Sequence, residues 1–196
     1  MSVFLLWEDR AAGPVTSFGP HVLLVACVAS RLDMDRYELA RSQAIDGKSC
    51  AGNGKVLREL QREPLWNSGV HVVAVLDTDR LHDRLTDITS RGTVRDTDYP
   101  RWSDAVAAEV RKHAPDHGQA QLDVCLLDRN LETLLAIIGR DVRELDEALG
   151  KSRLDRDKIL QRAAGDESMI ARACTEMPSW EHLVATVVRR MSRAAG

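Results

Sequence analysis

The residues best suited to chemistry in this chain are carboxylates at the ends of apolar runs. Val72 to Leu76 is an unbroken apolar run, mostly β-branched, and it leads straight into Asp77-Thr-Asp79. Such a run reads as a strand buried on both faces, as in a parallel sheet covered by helices. Residues i and i+2 of an extended chain point to the same side, so both aspartates can aim at one point. Carboxylate oxygens gathered there suit a hard divalent cation such as Mg²⁺. A turn in which the aspartates cap backbone N–H groups also fits Asp-x-Asp taken alone.

Two further apolar runs end in acids. Val3 to Trp7 leads into Glu8, and Gln121 to Leu127 leads into Asp128, with Glu132 just beyond. In an open parallel sheet the carboxyl ends of the strands share one edge, and ligands bind there. Carboxylates converging on that edge without counter-ions would repel and raise one another's pKa. One or two Mg²⁺ or Mn²⁺ ions relieve this. Such ions bind phosphate oxygens, activate water and stabilise the leaving oxygen in phosphodiester cleavage.

A second cluster is cationic. Lys55, Arg58 and Arg62 fall at i, i+3 and i+7 of an expected helix and share its outer face. With Lys48 they form a candidate cradle for a phosphate backbone, helped by Gly47, Gly52 and Gly54, whose amides can approach phosphate. A solvated helix face beside Glu59 and Glu63 is the plainer alternative. The stretch is not a P-loop: Ser49 and Ser42 stand where the two Gly-Lys pairs would need a leading glycine. No intrinsic ATPase is expected. The histidines show no metal-ligand spacing, and no nucleophile elbow or Cys/His arrangement is present.

The elements that must position these groups follow from the apolar pattern. The chain has 196 residues, 44% hydrophobic and 29% charged, which implies one sizeable globular core. Aromatics at 4% argue against a stacking platform for single strands, and a net charge of −3 confines any nucleic-acid contact to a local basic face. Cys27, Cys50, Cys125 and Cys174 are too widely spaced for a zinc site or a disulfide framework. Cys27 and Cys125 read as buried thiols, and a reducing cytoplasm fits. No leader peptide and no membrane span are expected.

Val3 to Trp7 is the first strand and His21 to Leu32 the first helix. Tyr37 to Ile45 is expected as an edge strand, Asp46 to Gly54 as a loop, and Lys55 to Trp66 as a helix ended by Pro64. Beyond the central strand, Arg80 to Arg101 reads as an exposed loop. Trp102 to His113 is a helix with Ala105, Val106 and Val110 inward. A strand over Gln121 to Leu127 precedes a helix over Leu131 to Ile138 that Asn130 would cap. Helices are expected over Val142 to Leu149, Asp155 to Ala164 and Trp180 to Met191. This order predicts an α/β fold: a Rossmann-like parallel sheet flanked by helices over residues 1–140, with a C-terminal helical extension over 141–196.

The order of these elements resembles the TOPRIM (topoisomerase–primase) domain. The stretches that carry it are Leu5-Leu-Trp-Glu8, Gly47-Lys-Ser-Cys-Ala-Gly-Asn-Gly-Lys55 and Val73-Ala-Val-Leu-Asp-Thr-Asp79. Leu126-Leu-Asp-Arg-Asn-Leu-Glu-Thr-Leu-Leu135 is similar to a stretch of the stand-alone and overcoming-lysogenization-defect type TOPRIM nucleases. The resemblance implies that Glu8 acts as general acid/base or metal ligand. It implies Asp77 and Asp79 as metal ligands, Glu132 as a further ligand, and Mg²⁺ or Mn²⁺ as cofactor. It also implies a nuclease acting on DNA or RNA in anti-phage defence, working with a separate ATPase partner, the helical tail serving docking or oligomerisation.

Two positions depart from the family's pattern: no glycine follows Glu8 until Gly13, and Arg80-Leu81 stands where a third acid sometimes continues the Asp-x-Asp. Neither Tyr37 nor Tyr99 has the context of a topoisomerase nucleophile. Two other readings remain open. One is a catalytically silent TOPRIM-like or Rossmann-like module that serves a regulatory role. The other is a haloacid-dehalogenase-like phosphatase, which would place the Asp-x-Asp on its first strand.

Overall fold

The computed structural model describes residues 2–11, 13–67, 69–78, 99–127, 131–139 and 153–192. Its elements run β1 (Val3–Trp7), α1 (Gly19–Leu32), α2 (Arg36–Ser42), β2 (Ile45–Ser49), α3 (Asn53–Leu60), α4 (Glu63–Trp66) and β3 (His71–Asp77). Then come α5 (Tyr99–Arg111), α6 (Asp116–Gln119), β4 (Leu122–Leu127) and α7 (Leu131–Gly139). The chain closes with α8 (Arg153–Ala163), α9 (Glu167–Glu176) and α10 (Pro178–Ser192).

The four strands form one parallel sheet in the order β2-β1-β3-β4. Side chains alternate across it. Val3, Leu5, Trp7, Val73, Val75, Cys125 and Leu127 face a layer built from α1, α7, α8, α9 and α10. Leu6, Val72, Ala74, Leu76, Leu122 and Leu126 face α3, α4 and α5. Every residue of β3 is buried, as an apolar run in the middle of a covered sheet must be. The expected Rossmann-like α/β architecture is thus present, with helices on both faces.

Several elements differ from expectation. Of residues 37–45, expected as the edge strand, only Ile45 belongs to it. Asp35 accepts the backbone N–H groups of Tyr37 and Glu38 at 2.9 and 2.8 Å and so starts a helix, α2. The edge strand is β2, in residues that read as a loop because Asp46 and Lys48 are polar; an edge strand tolerates such exposed charge. The single helix expected over 55–66 is two. Pro64 would collide with the Leu60 carbonyl in a continuous helix, so α3 stops at Leu60, and the Trp66 indole N–H caps that carbonyl at 2.8 Å. On α5 the buried stripe is Val106, Ala107 and Val110, while Ala105 is exposed. α9 was not among the expected helices; Asp166 caps it by accepting from the backbones of Ser168 and Met169. Asp79, Asp128, Asn130, residues 80–98 of the loop expected over 80–101 and the helix expected over 142–149 lie outside the described residues, while residues 99–101 of that expected loop begin α5.

The helices after residue 153 share the core of the sheet. Leu160, Ala163, Ala173, Trp180, Leu183, Val184 and Val187 are buried together with β1 and α1. Gly19 allows the contact with α8, since a Cβ there would lie 2.6 Å from the Asp157 carbonyl oxygen. The Asp157 carboxylate in turn accepts the Gly19 N–H at 3.2 Å, capping α1. At the other end, Arg190 of α10 grips Asp123 of β4 with two hydrogen bonds, at 2.6 and 2.9 Å. No helix among the described residues is long and apolar enough to cross a membrane.

Candidate active site at the carboxyl edge of the sheet

The chain leaves β1 toward β2 on one side and later places β3 on the other. The reversal of winding therefore falls between β1 and β3, and crevices at such points hold ligands in open α/β sheets. Glu8 directly follows β1 and Asp77 ends β3, both buried, at 5% and 6% exposure.

A displaced hydrogen bond joins them. The ladder between β1 and β3 includes His71 N–H to the Ser2 carbonyl and Glu8 N–H to the Val75 carbonyl, each at 3.0 Å. The next bond in that series would run from the Asp77 N–H to the Glu8 carbonyl. Instead the Asp77 N–H donates to the Glu8 carboxylate, at Oε2, 2.9 Å away. The Glu8 carbonyl turns toward the start of α3 and accepts the Gly52 N–H at 2.6 Å. Gly52 does this at φ +124°, a conformation that favours glycine. The Glu8 side chain thus takes the place of its own backbone as the last acceptor of the ladder, which fixes one carboxylate oxygen.

The loop after Glu8 is tied down from β2. Ser49 donates its hydroxyl to the Asp9 carbonyl at 2.5 Å and accepts the Ala11 N–H at 2.6 Å. Beneath the site, Trp7 meets Phe18 edge-on, with centroids 5.6 Å apart, and stacks on Trp180 at 6.4 Å. Its indole N–H reaches His21 Nδ1 at 3.4 Å. Burial lowers the pKa of His21 to about 4, against the opposing pull of Asp46 and a hydrogen bond with the Ile45 backbone. His21 is therefore a neutral acceptor for Trp7 at physiological pH.

The structure places the other candidates as follows. Asp79 lies outside the described residues. Glu132, exposed in the first turn of α7, forms an ion pair with Arg156 of α8. That pair lines a hollow of about 40 Å³ together with Asp9, Arg10 and Asp157. Lys48 and Arg62 both bind Glu59, at 2.9 and 3.0 Å. Arg58 bonds the Gly54 carbonyl of its own helix at 3.1 Å, and Lys55 is exposed beside it. Of the three glycines expected to offer amides, Gly47 lies within β2 with its N–H on Asp46, and the Gly52 N–H is bound to Glu8.

Among the described residues no three His, Cys, Asp or Glu side chains converge into a cation cage. Glu8 and Asp77 are nevertheless brought together in the crevice, and their hard oxygens fit a divalent cation in chemical type. Arg156 and Ser49 escaped the sequence reading, and Gly52, read there as offering its amide to phosphate, gives it to the Glu8 carbonyl instead. No spacing rule links Arg156 to Glu132, 24 residues away, because their pairing depends on how α8 docks against α7.

Fold and crevice together define a Rossmann-like α/β protein with two buried carboxylates where the strand order reverses. No protein-family model matches the sequence, and none of the curated proteins does. Among solved structures, the C-terminal region of the Xanthomonas campestris pv. campestris OLD protein is similar at 14% identity over 97% of each chain, with a TM-score of 0.40.

Proposed function

We propose that this chain is a TOPRIM-type nuclease that hydrolyses phosphodiester bonds in DNA or RNA with a divalent metal ion. The observation that supports this reading is the meeting of buried Glu8 and Asp77 at the reversal point of the sheet. With Asp79, they would hold Mg²⁺ or Mn²⁺, which when bound polarises a phosphate oxygen and eases deprotonation of water. The chain's own residues prepare the crevice. The Asp77 N–H orients the Glu8 carboxylate, so that little rearrangement is needed when a cation or substrate arrives. Lys55 and Arg58, exposed on α3, would attract the phosphate backbone. Lys48 and Arg62 would join them once phosphate competes with Glu59. Glu132 would act as a further ligand after exchanging Arg156 for the cation. The resemblance adds a role in anti-phage defence, with an ATPase partner or self-association, and the cysteine usage fits a reducing cytoplasm.

A second reading, a catalytically silent module, draws support from the Glu132–Arg156 pair, which occupies one of the carboxylates with a protein cation.

The test is a nuclease assay of the purified chain on plasmid, single-stranded DNA and total RNA, with Mg²⁺, Mn²⁺ or chelator. The Asp77→Ala/Asp79→Ala double variant runs alongside. Metal-dependent cleavage that disappears in the variant is the expected result. Equal cleavage by both proteins would remove the site. No cleavage, together with no metal binding in a calorimetric titration, would select the silent module.

A further inference from the structure

Beside the edge strand, α1, α2, β2 and the end of α8 enclose a cavity of about 240 Å³. Its inner lining is apolar: Val22, Val25, Ala26, Ile45 and Ala164, all but Val22 buried. His21 adds a neutral ring to that lining, with its Nδ1 held by the Trp7 indole N–H. The rim is polar, formed by exposed Thr16, Tyr37, Gln43 and Asp46 and half-buried Arg36. An apolar interior with a few polar groups at its edge is the usual build of a small-molecule site. Sites for drug-sized ligands span roughly 300–1,000 Å³, so this cavity suits a smaller guest.

Arg36 decides the charge of that guest. Its guanidinium lies over the Tyr37 ring, 4.6 Å from the centroid, and donates to the Tyr37 hydroxyl at 2.6 Å and to the Ala164 carbonyl. Both acceptors are uncharged, and among the described residues Arg36 forms no ion pair. A guanidinium stays protonated in a protein, so its charge is left for a guest to balance. These bonds also hold the group in place, so little side-chain freedom is lost on binding. The other charged residue of the lining is Asp46, whose carboxylate accepts the Gly47 N–H at 2.7 Å. It repels a second negative charge and so favours a monoanion. Tyr37, 59% exposed at the rim, and His21 within offer rings against which an aromatic body packs well.

We infer that this cavity binds a small aromatic carboxylate, its ring among Val25, Ala26 and Ile45 and its carboxylate on Arg36. The lining holds one carboxylate and no thiol, which suits binding rather than turnover. A ligand against His21 touches the residue that anchors Trp7, and Trp7 directly precedes Glu8. The Trp7 indole N–H is therefore a reporter of occupancy.

This inference does not depend on nuclease activity. The full chain is titrated calorimetrically at pH 7 with 2-naphthoate and with its uncharged counterpart of the same shape, 2-naphthamide. The expected result is one saturable site that prefers the carboxylate by about tenfold, the difference between a charge-assisted and a neutral hydrogen bond. Arg36→Gln should bind both probes alike, and Arg36→Lys should restore part of the preference. Ala40→Trp, at the exposed rim on α2, should close the mouth and weaken both probes. The Trp7 indole N–H resonance, assigned by its loss in Trp7→Phe, should move on saturation with 2-naphthoate and stay in place in Ala40→Trp. Equal affinity of the parent for the two probes, a preference that survives in Arg36→Gln, binding untouched by Ala40→Trp, or no saturable binding would each overturn the inference.

Discussion

Replacing Glu8 separates its structural role from its chemical one. Its Oε2 accepts the Asp77 N–H at 2.9 Å where the ladder would ordinarily use a carbonyl, and both residues are buried. Glu8→Ala leaves that N–H without its acceptor. A hydrogen bond to a charged group contributes about 1.5–3 kcal/mol, and a stranded buried donor costs about 1–3 kcal/mol. A loss of roughly 2–3 kcal/mol is therefore expected. Glu8→Gln keeps an oxygen of the same reach and removes only the charge, so its loss should stay near 1 kcal/mol. Urea unfolding of the three proteins at pH 7 measures the difference, with unchanged m-values as the check on cooperativity. Metal-dependent cleavage should vanish in both variants, because the glutamine cannot serve as an anionic ligand or a base. If both variants lose the same stability, the displaced ladder bond has been misread. If Glu8→Gln still cleaves, Glu8 is a structural residue alone.

Acid should destabilise the protein through His21. Its folded pKa of about 4 lies below the unfolded value of 6.5, so the unfolded chain takes up a proton that the native state refuses. The contribution is complete above pH 6.5 and falls away as pH drops toward 4, by roughly 2–3 kcal/mol at pH 4.5. His21→Leu should flatten that part of the stability profile measured by urea titration, and a slope parallel to the parent protein would refute the assignment. Asp123 is opposed by burial, but hydrogen bonds from His71 and Arg190 hold its carboxyl well below the usual range. Asp123→Ala should cost about 2–4 kcal/mol by stranding His71 and Arg190; a thermal midpoint within a degree of the parent would show that the network contributes little.

Long apolar runs made most of the fold legible. Val72 to Leu76 could be little other than a central strand, and the two acids that follow it point to the carboxyl edge from the sequence alone. What escaped was decided by partners remote in sequence. Nothing in Ile45-Asp-Gly-Lys-Ser49 signals a strand; it is one because β1 offers a free edge and Gly47 admits it beside Leu5, where a Cβ would lie 2.6 Å from a carbonyl oxygen. The exception is α2, whose signal is local: it follows from the Asp35 cap two and three residues away, which a pattern of β-branched and apolar residues does not register.

The carboxylates illustrate the same division. Glu8 and Asp77 were identifiable one at a time as strand-ending acids, but their coupling was not, because it depends on the phase of a parallel ladder. The register pairs Trp7 with Val75, so the first residues beyond it are Glu8 on one strand and, two places on, Asp77 on the other. A one-residue slip of β3 would present Leu76 or Thr78 to the Glu8 carboxylate instead. The slip would also reverse the faces of Val73 and Val75, which are packed against α1 and its neighbours. The apolar packing of the central strand therefore sets the position of the acidic pair. A change that shifts β3, such as a bulky residue at Ala74, should disturb Glu8 without touching it.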